Sequence, residues 1–170
     1  GLTPSGLLLS AFTEVLRVWS RNPKFSVNLT FLDRRPGHPD VERIVGDFTS
    51  LLLLEVDHSQ PGTFESKAKR LQQQLWRDLD HLEFNGLRVL RELARSESGE
   101  LKASMPIVFT SALAYDASRA GAGLSRWLGR PVFDVSQTPQ VWLDHQVAEQ
   151  HGALTLVWDA LDAVFPDGML

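Results

Sequence analysis

The chain contains no cysteine. That excludes disulfides, thiolate metal sites and a cysteine nucleophile, and it suits a reducing cytoplasm. Positive charge is not in excess: 17 Lys and Arg against 21 Asp and Glu leave a net charge of −4. Binding driven by phosphate neutralisation is thereby excluded, so no nucleic-acid partner is expected. The one basic cluster, Lys67, Lys69 and Arg70, reads as a solvated helix face. No apolar run approaches the ~18–20 residues of a membrane span, and no membrane association is expected. The Gly1-Leu2-Thr3-Pro4-Ser5 start has no basic region before its apolar stretch, so it does not read as a secretory signal. GxSxG, GxxxxGK[ST] and GxGxxG are all missing. None of the five histidines pairs as HxxxH or HExxH, and no metal site is expected. Asp57-His58, Asp80-His81 and Asp144-His145 are adjacent pairs, but neighbours on a strand point to opposite faces, so adjacency builds no dyad.

What is present is ordinary for one globular domain. The 170 residues are 43% hydrophobic and 22% charged, enough to enclose a core. Five Trp and nine Phe suggest an aromatic component in the core or in a tunnel wall. Thr3 and Pro4 open a helix whose apolar positions run from Leu8 to Trp19. Phe25 to Leu32 alternates as a half-buried strand. Phe48 to Val56 reads as a strand buried on both faces. Thr63 to Leu82 is the strongest helix, with a wet face of Lys67, Lys69, Arg70, Gln73 and Arg77, and Leu87 to Ala94 forms a shorter one. Ser96 to Lys102 is a polar loop, Pro106 to Ser111 a strand, and Ala114 to Arg130 has no clean period. Gln140 to Val147 and Ala153 to Trp158 form a strand pair joined through Glu149 to Gly152, and Ala160 to Phe165 begins a helix. Asp47 reads as a turn-fixing residue and Asp159 as the cap of that last helix. Strands followed by long helices give an α/β fold, and the late hairpin makes its sheet mixed. The close on Phe165 to Leu170 reads as a cut inside an element.

Period two in the strand from Gln140 puts Gln140, Trp142, Asp144 and Gln146 on one face and Val141, Leu143, His145 and Val147 on the other. The Val/Leu side should meet the core. The other side then sets a carboxylate between an indole and two amides. Partial desolvation raises such a carboxyl and suits it to carry protons near neutral pH. A solvent-facing strand with an ordinary Asp is the alternative on these residues alone.

Five blocks, in order, resemble a known family. Thr3 to Ser20 resembles TPSxxLxxxFxxVLxxWS; Gly46 to Leu54, GDFTxLxLL; Met105 to Leu113, PVVFTSxLG; Ser136 to Gln146, SQTPQVWLDxQ; and Trp158-Asp159 with Phe165 to Gly168, NWDxxxxLFPEG. On these the chain resembles the C-terminal lobe of a heterocyclization domain, the condensation-domain variant of nonribosomal peptide synthetases. The sequence departs at Ala114, where the family has Gly, and at Val157, where it has Asn. The N-terminal lobe, with the DxxxxD that replaces the condensation domain's HHxxxDG, and the final helix have no counterpart in these residues.

The resemblance implies a two-layer sandwich like one half of chloramphenicol acetyltransferase, with a tunnel between two such lobes. Upstream and downstream peptidyl carrier proteins bring substrates tethered to phosphopantetheine, no cofactor being bound directly, and an adenylation domain lies adjacent. The domain joins an acyl or aminoacyl thioester to a cysteinyl, seryl or threonyl thioester and cyclodehydrates the product to a thiazoline or oxazoline, as in siderophore and other natural-product assembly. By position the cyclodehydration residues are Thr110 and Asp144. Gln140, Trp142, Gln146 and Ser111 become substrate-binding residues. The competing expectation is a non-catalytic lobe that serves as a carrier-protein docking scaffold. The isolated 170 residues are expected to be inactive and to expose apolar surface.

Overall fold

The computed structural model of the chain describes residues 1–35, 37–96, 105–113, 129, 132–133, 138–150 and 152–170. Three helices, α1 (Pro4–Trp19), α2 (Phe64–Leu79) and α3 (Gly86–Ser96), accompany five strands: β1 (Lys24–Leu32), β2 (Thr49–Asp57), β3 (Ile107–Ser111), β4 (Leu143–Gln150) and β5 (Ala153–Ala160). The strands form one sheet in the order β2-β1-β3-β4-β5. The β1–β3 and β3–β4 pairs are parallel, and the outer pairs β1–β2 and β4–β5 are antiparallel. The fold is thus a mixed-sheet α/β sandwich, as the sequence predicts. The Ala114 to Arg130 stretch and Ser136-Gln137 lie outside the described residues, apart from Gly129.

Alternation along each strand decides the layers. Val27 and Leu29 of β1, Leu52, Leu54 and Val56 of β2, Phe109 of β3, and Leu143 and Val147 of β4 join Leu9 and Phe12 of α1 in one buried cluster. Leu71, Leu75 and Leu79 of α2 pack on its margin. Burying one such side chain is worth about 1.5–3 kcal/mol. β2 alternates buried with less buried positions, so the expectation of burial on both faces is corrected. β2 lies at one edge of the sheet and meets the core on one side.

The start of α1 is fixed by several contacts at once. Thr3 caps it, its Oγ1 accepting from the Gly6 N–H at 3.1 Å, with Pro4 at the first helical position. Gln72 reaches over from α2, where it is buried. Its Oε1 accepts from the Thr3 N–H at 2.7 Å and from the Thr3 hydroxyl at 2.9 Å, and its Nε2 donates to the Gly1 carbonyl at 3.1 Å. A Cβ on Gly6 would sit 2.5 Å from Gln72 Oε1, so the Thr-Pro-x-Gly opening fits a helix start clamped by an amide. Lys67, read as part of a wet face, instead bridges the two helices at 2.9 Å from Glu14 and is only 16% exposed.

Two readings of the C-terminal region change. Asp159 caps no helix: it lies within β5, and only a short 3-10 turn, Asp162–Val164, follows. The hairpin is tighter than its sequence suggests, because Gln150 pairs directly with Ala153. Gly152 takes a left-handed φ of +77° there, a conformation that favours glycine in tight hairpin turns. Asp47 does fix a turn, its Oδ1 accepting from the Thr49 N–H at 2.8 Å.

Candidate active site

Strand register brings the predicted residues together. Val108 pairs with Asp144 and Thr110 with Gln146 across β3–β4, while Asn28 pairs with Val108 and Thr30 with Thr110 across β1–β3. Residues in register share a face. Asn28, Thr30, Thr110, Asp144 and Gln146 therefore form a polar field on the side of the sheet turned away from α1 and the core cluster. The hydroxyls of Thr30 and Thr110 are hydrogen-bonded. Asp159 of β5 joins the field directly opposite Asp144.

Asp144 is the centre of this field. Its Oδ2 accepts from Gln146 Nε2 at 3.0 Å, while its buried Oδ1 makes no hydrogen bond. Burial raises the carboxyl above its ordinary value, and the Asp159 carboxylate adds to the rise. The Gln146 amide and the Thr110 hydroxyl pull it down, without reversing the direction. The carboxyl is thus held above its ordinary value by burial, the direction that suits a proton-carrying group.

A groove of about 930 Å³ opens beside Asp144, lined by Gln140, Trp142, Asp159 and Asp162 among others. Trp142 lies along it, 45% exposed. Gln140 does not share the strand: it stands in the turn before β4 with a φ of +67°, so it reaches the groove from the turn, not by alternation. Ser111 is placed apart from the others. It points to the helix side of the sheet, where its hydroxyl hydrogen-bonds that of Ser5 at 2.7 Å.

Adjacency of Asp144 and His145 builds no dyad, as predicted. His145 is buried on the core face against Phe12, with ring centroids 4.6 Å apart. The Trp158 indole N–H donates to its Nδ1 at 2.5 Å, and burial lowers its pKa, so the ring is held neutral.

Sequence reasoning missed Asn28 and Asp159. Asn28 is 8% exposed and its Oδ1 has no partner, but in the sequence it is one of three polar residues on an alternating strand. Asp159 was findable. Once the hairpin closes on Gln150↔Ala153, Asp144 and Asp159 are each six positions from that pair. Among the described residues no group of three or more His, Asp or Glu could hold a metal ion, and no helix is long and apolar enough to cross a membrane.

Known proteins resemble this chain in sequence and fold. The family model "Condensation domain" matches residues 1–121. Pyochelin synthetase PchF of Pseudomonas aeruginosa is 44% identical over 168 residues, which is 99% of this chain and 9% of PchF. Phenyloxazoline synthase MbtB of Mycobacterium tuberculosis is 39% identical over the whole chain, which spans 12% of that protein. The cyclization-docking bidomain of the nonribosomal peptide synthetase EpoB from Sorangium cellulosum superposes with a TM-score of 0.78 at 44% identity, over 98% of this chain and 33% of the bidomain. The chain thus spans a small fraction of its curated relatives. It belongs to the condensation-domain family, among the cyclization-type domains of nonribosomal peptide synthetases.

Proposed function

We propose that this chain is the C-terminal lobe of a heterocyclization domain and carries its cyclodehydration residues. In this reading the complete domain condenses an upstream acyl or aminoacyl thioester with a cysteinyl, seryl or threonyl thioester. Both substrates arrive on phosphopantetheine arms of carrier proteins, and a second lobe closes the tunnel over the polar field. The product is a thiazoline or oxazoline.

The observation that carries this reading is that Thr110 of β3 pairs across the strands with Gln146, two residues from Asp144 on the same face and next to the groove. Relatives named for pyochelin, a phenyloxazoline and cyclization support the ring-forming step over condensation alone. Asp144 carries two protons in turn. It takes one from the attacking thiol or hydroxyl and hands it to the amide oxygen as the carbon–sulfur or carbon–oxygen bond forms. It then takes the N–H proton of the resulting hemiaminal and delivers it to the departing hydroxyl, which leaves as water while C=N forms. Proton transfer by one tuned group typically contributes 10²–10⁴-fold. The Thr110 hydroxyl steadies the hemiaminal oxygen. Trp142 and Gln140 form the groove wall along which the tethered chain lies. The 170 residues alone are inactive in this reading, because one wall of a tunnel cannot hold two tethered substrates in attack geometry.

The test is intact-mass spectrometry of the carrier-bound product from the two-lobe domain. Asp144→Asn and Thr110→Ala should accumulate the linear amide and fail to lose one water. Ring formation at wild-type rates in both variants would leave this lobe as scaffold.

A further inference from the structure

We propose that Gln146 and Asp159 are positioning residues for Asp144: the Gln146 amide anchors one oxygen of Asp144 and reaches Asp159, and so leaves the other Asp144 oxygen as the atom that carries the proton.

The geometry is specific. Asp144 and Asp159 stand directly opposite on β4 and β5, where like charges oppose one another. Gln146, two residues along β4, projects to the same face. Its Nε2 donates to Asp144 Oδ2 at 3.0 Å and lies 3.5 Å from Asp159 Oδ2. One NH₂ group has two hydrogens and can serve both oxygens. Asp144 Oδ2 is then occupied as an acceptor. Asp144 Oδ1 is buried with no partner at hydrogen-bond geometry, and the Thr110 hydroxyl is the weakest of the groups acting on the carboxyl. A carboxyl with one anchored oxygen and one free, desolvated oxygen has a defined proton-bearing atom; a freely rotating carboxyl has not.

Asp159 supplies the second part. The neighbouring groups that act on Asp144 are few: Asp159 from β5, the Thr110 hydroxyl from β3, and His145 and Gln146 from its own strand. Of these Asp159 alone disfavours the Asp144 carboxylate, reinforcing the effect of burial. Asp159 thus favours the protonated form of Asp144 without touching the substrate, and Gln146 decides which oxygen is anchored. This inference deepens the proposed function and rests on it for the identity of the reaction, but the coupling between the residues is testable by itself.

The test titrates the Asp144 carboxyl by ¹³C NMR, in the longest chain that folds, for wild type, Asp159→Asn, Gln146→Ala and the control Asp162→Asn. The expected result is a lower midpoint in Asp159→Asn, a higher one in Gln146→Ala and no change in Asp162→Asn. A wild-type midpoint in Asp159→Asn overturns the proposal. Asp159→Ser gives the same reading should the amide variant fail to fold. The pH profile of water loss by the two-lobe domain forms the second arm. If its limb moves with the NMR midpoint, both readings stand. If the midpoint moves and the profile does not, the coupling stands and Asp144 is not the group that governs ring closure.

Discussion

The two faces of this sheet are built from the same strands and have opposite characters. On the helix side, Val27, Leu54 and Val147 are essentially fully buried, and His145, one of two buried histidines there, accepts from an indole and is kept neutral. On the other side, one residue along each strand, stand two carboxylates in register, an asparagine oxygen without a partner and a carboxyl oxygen without a partner. Unsatisfied buried polar atoms are costly, each by about 1–3 kcal/mol. Such atoms occur on both faces, since His58 is also buried without a hydrogen bond beside α1, but only the polar face sets two carboxylates against each other. Alternation lets both characters arise in strands eight or nine residues long, because neighbouring residues answer to different surroundings.

The comparison breaks most sharply at Asp144. Asp144→Asn should lower ring formation in the two-lobe domain by about 10²–10⁴-fold, measured by product mass. The same variant should be more stable than wild type at neutral pH. A carboxyl raised in the folded state binds its proton more tightly there than in the unfolded chain. Its ionised form therefore costs stability above the folded value, and that cost disappears as pH falls through it. Thermal melts at neutral pH check this, and a variant less stable than wild type would contradict the division between the faces.

Leu54→Ala tests the other face. It should destabilise by about 2–5 kcal/mol in urea unfolding, since Leu54 has no exposed surface and sits within the core cluster. Trp158→Phe removes the N–H donated to His145 together with the five-membered ring, and the lost hydrogen bond alone should cost about 0.5–1.5 kcal/mol. Acid should expose the same histidine. Burial lowers His145 and His58 below the ordinary value, so the unfolded chain takes up protons first as pH falls below ~6.5. Stability is therefore complete above that pH and declines below it. The smallest effect belongs to neither face: Lys69→Ala removes an exposed pair with Glu65 on α2 and should cost about 0.3–0.5 kcal/mol.

Much of this was readable from residue order, for a physical reason. Period-two alternation in 25–32 and the apolar stripe of 64–82 report burial directly, and the structure places β1 and α2 there within a few residues. Thr3 and Pro4 announce a helix start because capping is a local interaction. The misreadings lie where the deciding partner is distant in sequence. Gln72 looks like any helix amide until α1 is laid against it. Lys67 looks wet until Glu14 approaches. The strand from Gln140 was begun three residues early because a turn residue with positive φ leaves no mark on hydrophobic pattern. Asp144 stands out by alternation beside Trp142 as well as by resemblance, Thr110 by resemblance alone, and their register with Val108 and Gln146 comes from long-range pairing. Asp159 was lost to a misassigned element: a carboxylate after a tryptophan reads as a helix cap until the hairpin register is known.

The hairpin that carries the two carboxylates has a further consequence, for the order of folding. Gln150 pairs with Ala153 and the ladder zips outward to Asp144 and Asp159, so this part of the site depends on local chain closure. Isolated hairpins close in roughly 1–10 μs. Thr110 meets Thr30 only across 80 residues of intervening chain, and contacts of such separation form slowly because loop closure comes first. The acidic half of the field should therefore gain hydrogen-exchange protection early in refolding, and the threonine half late.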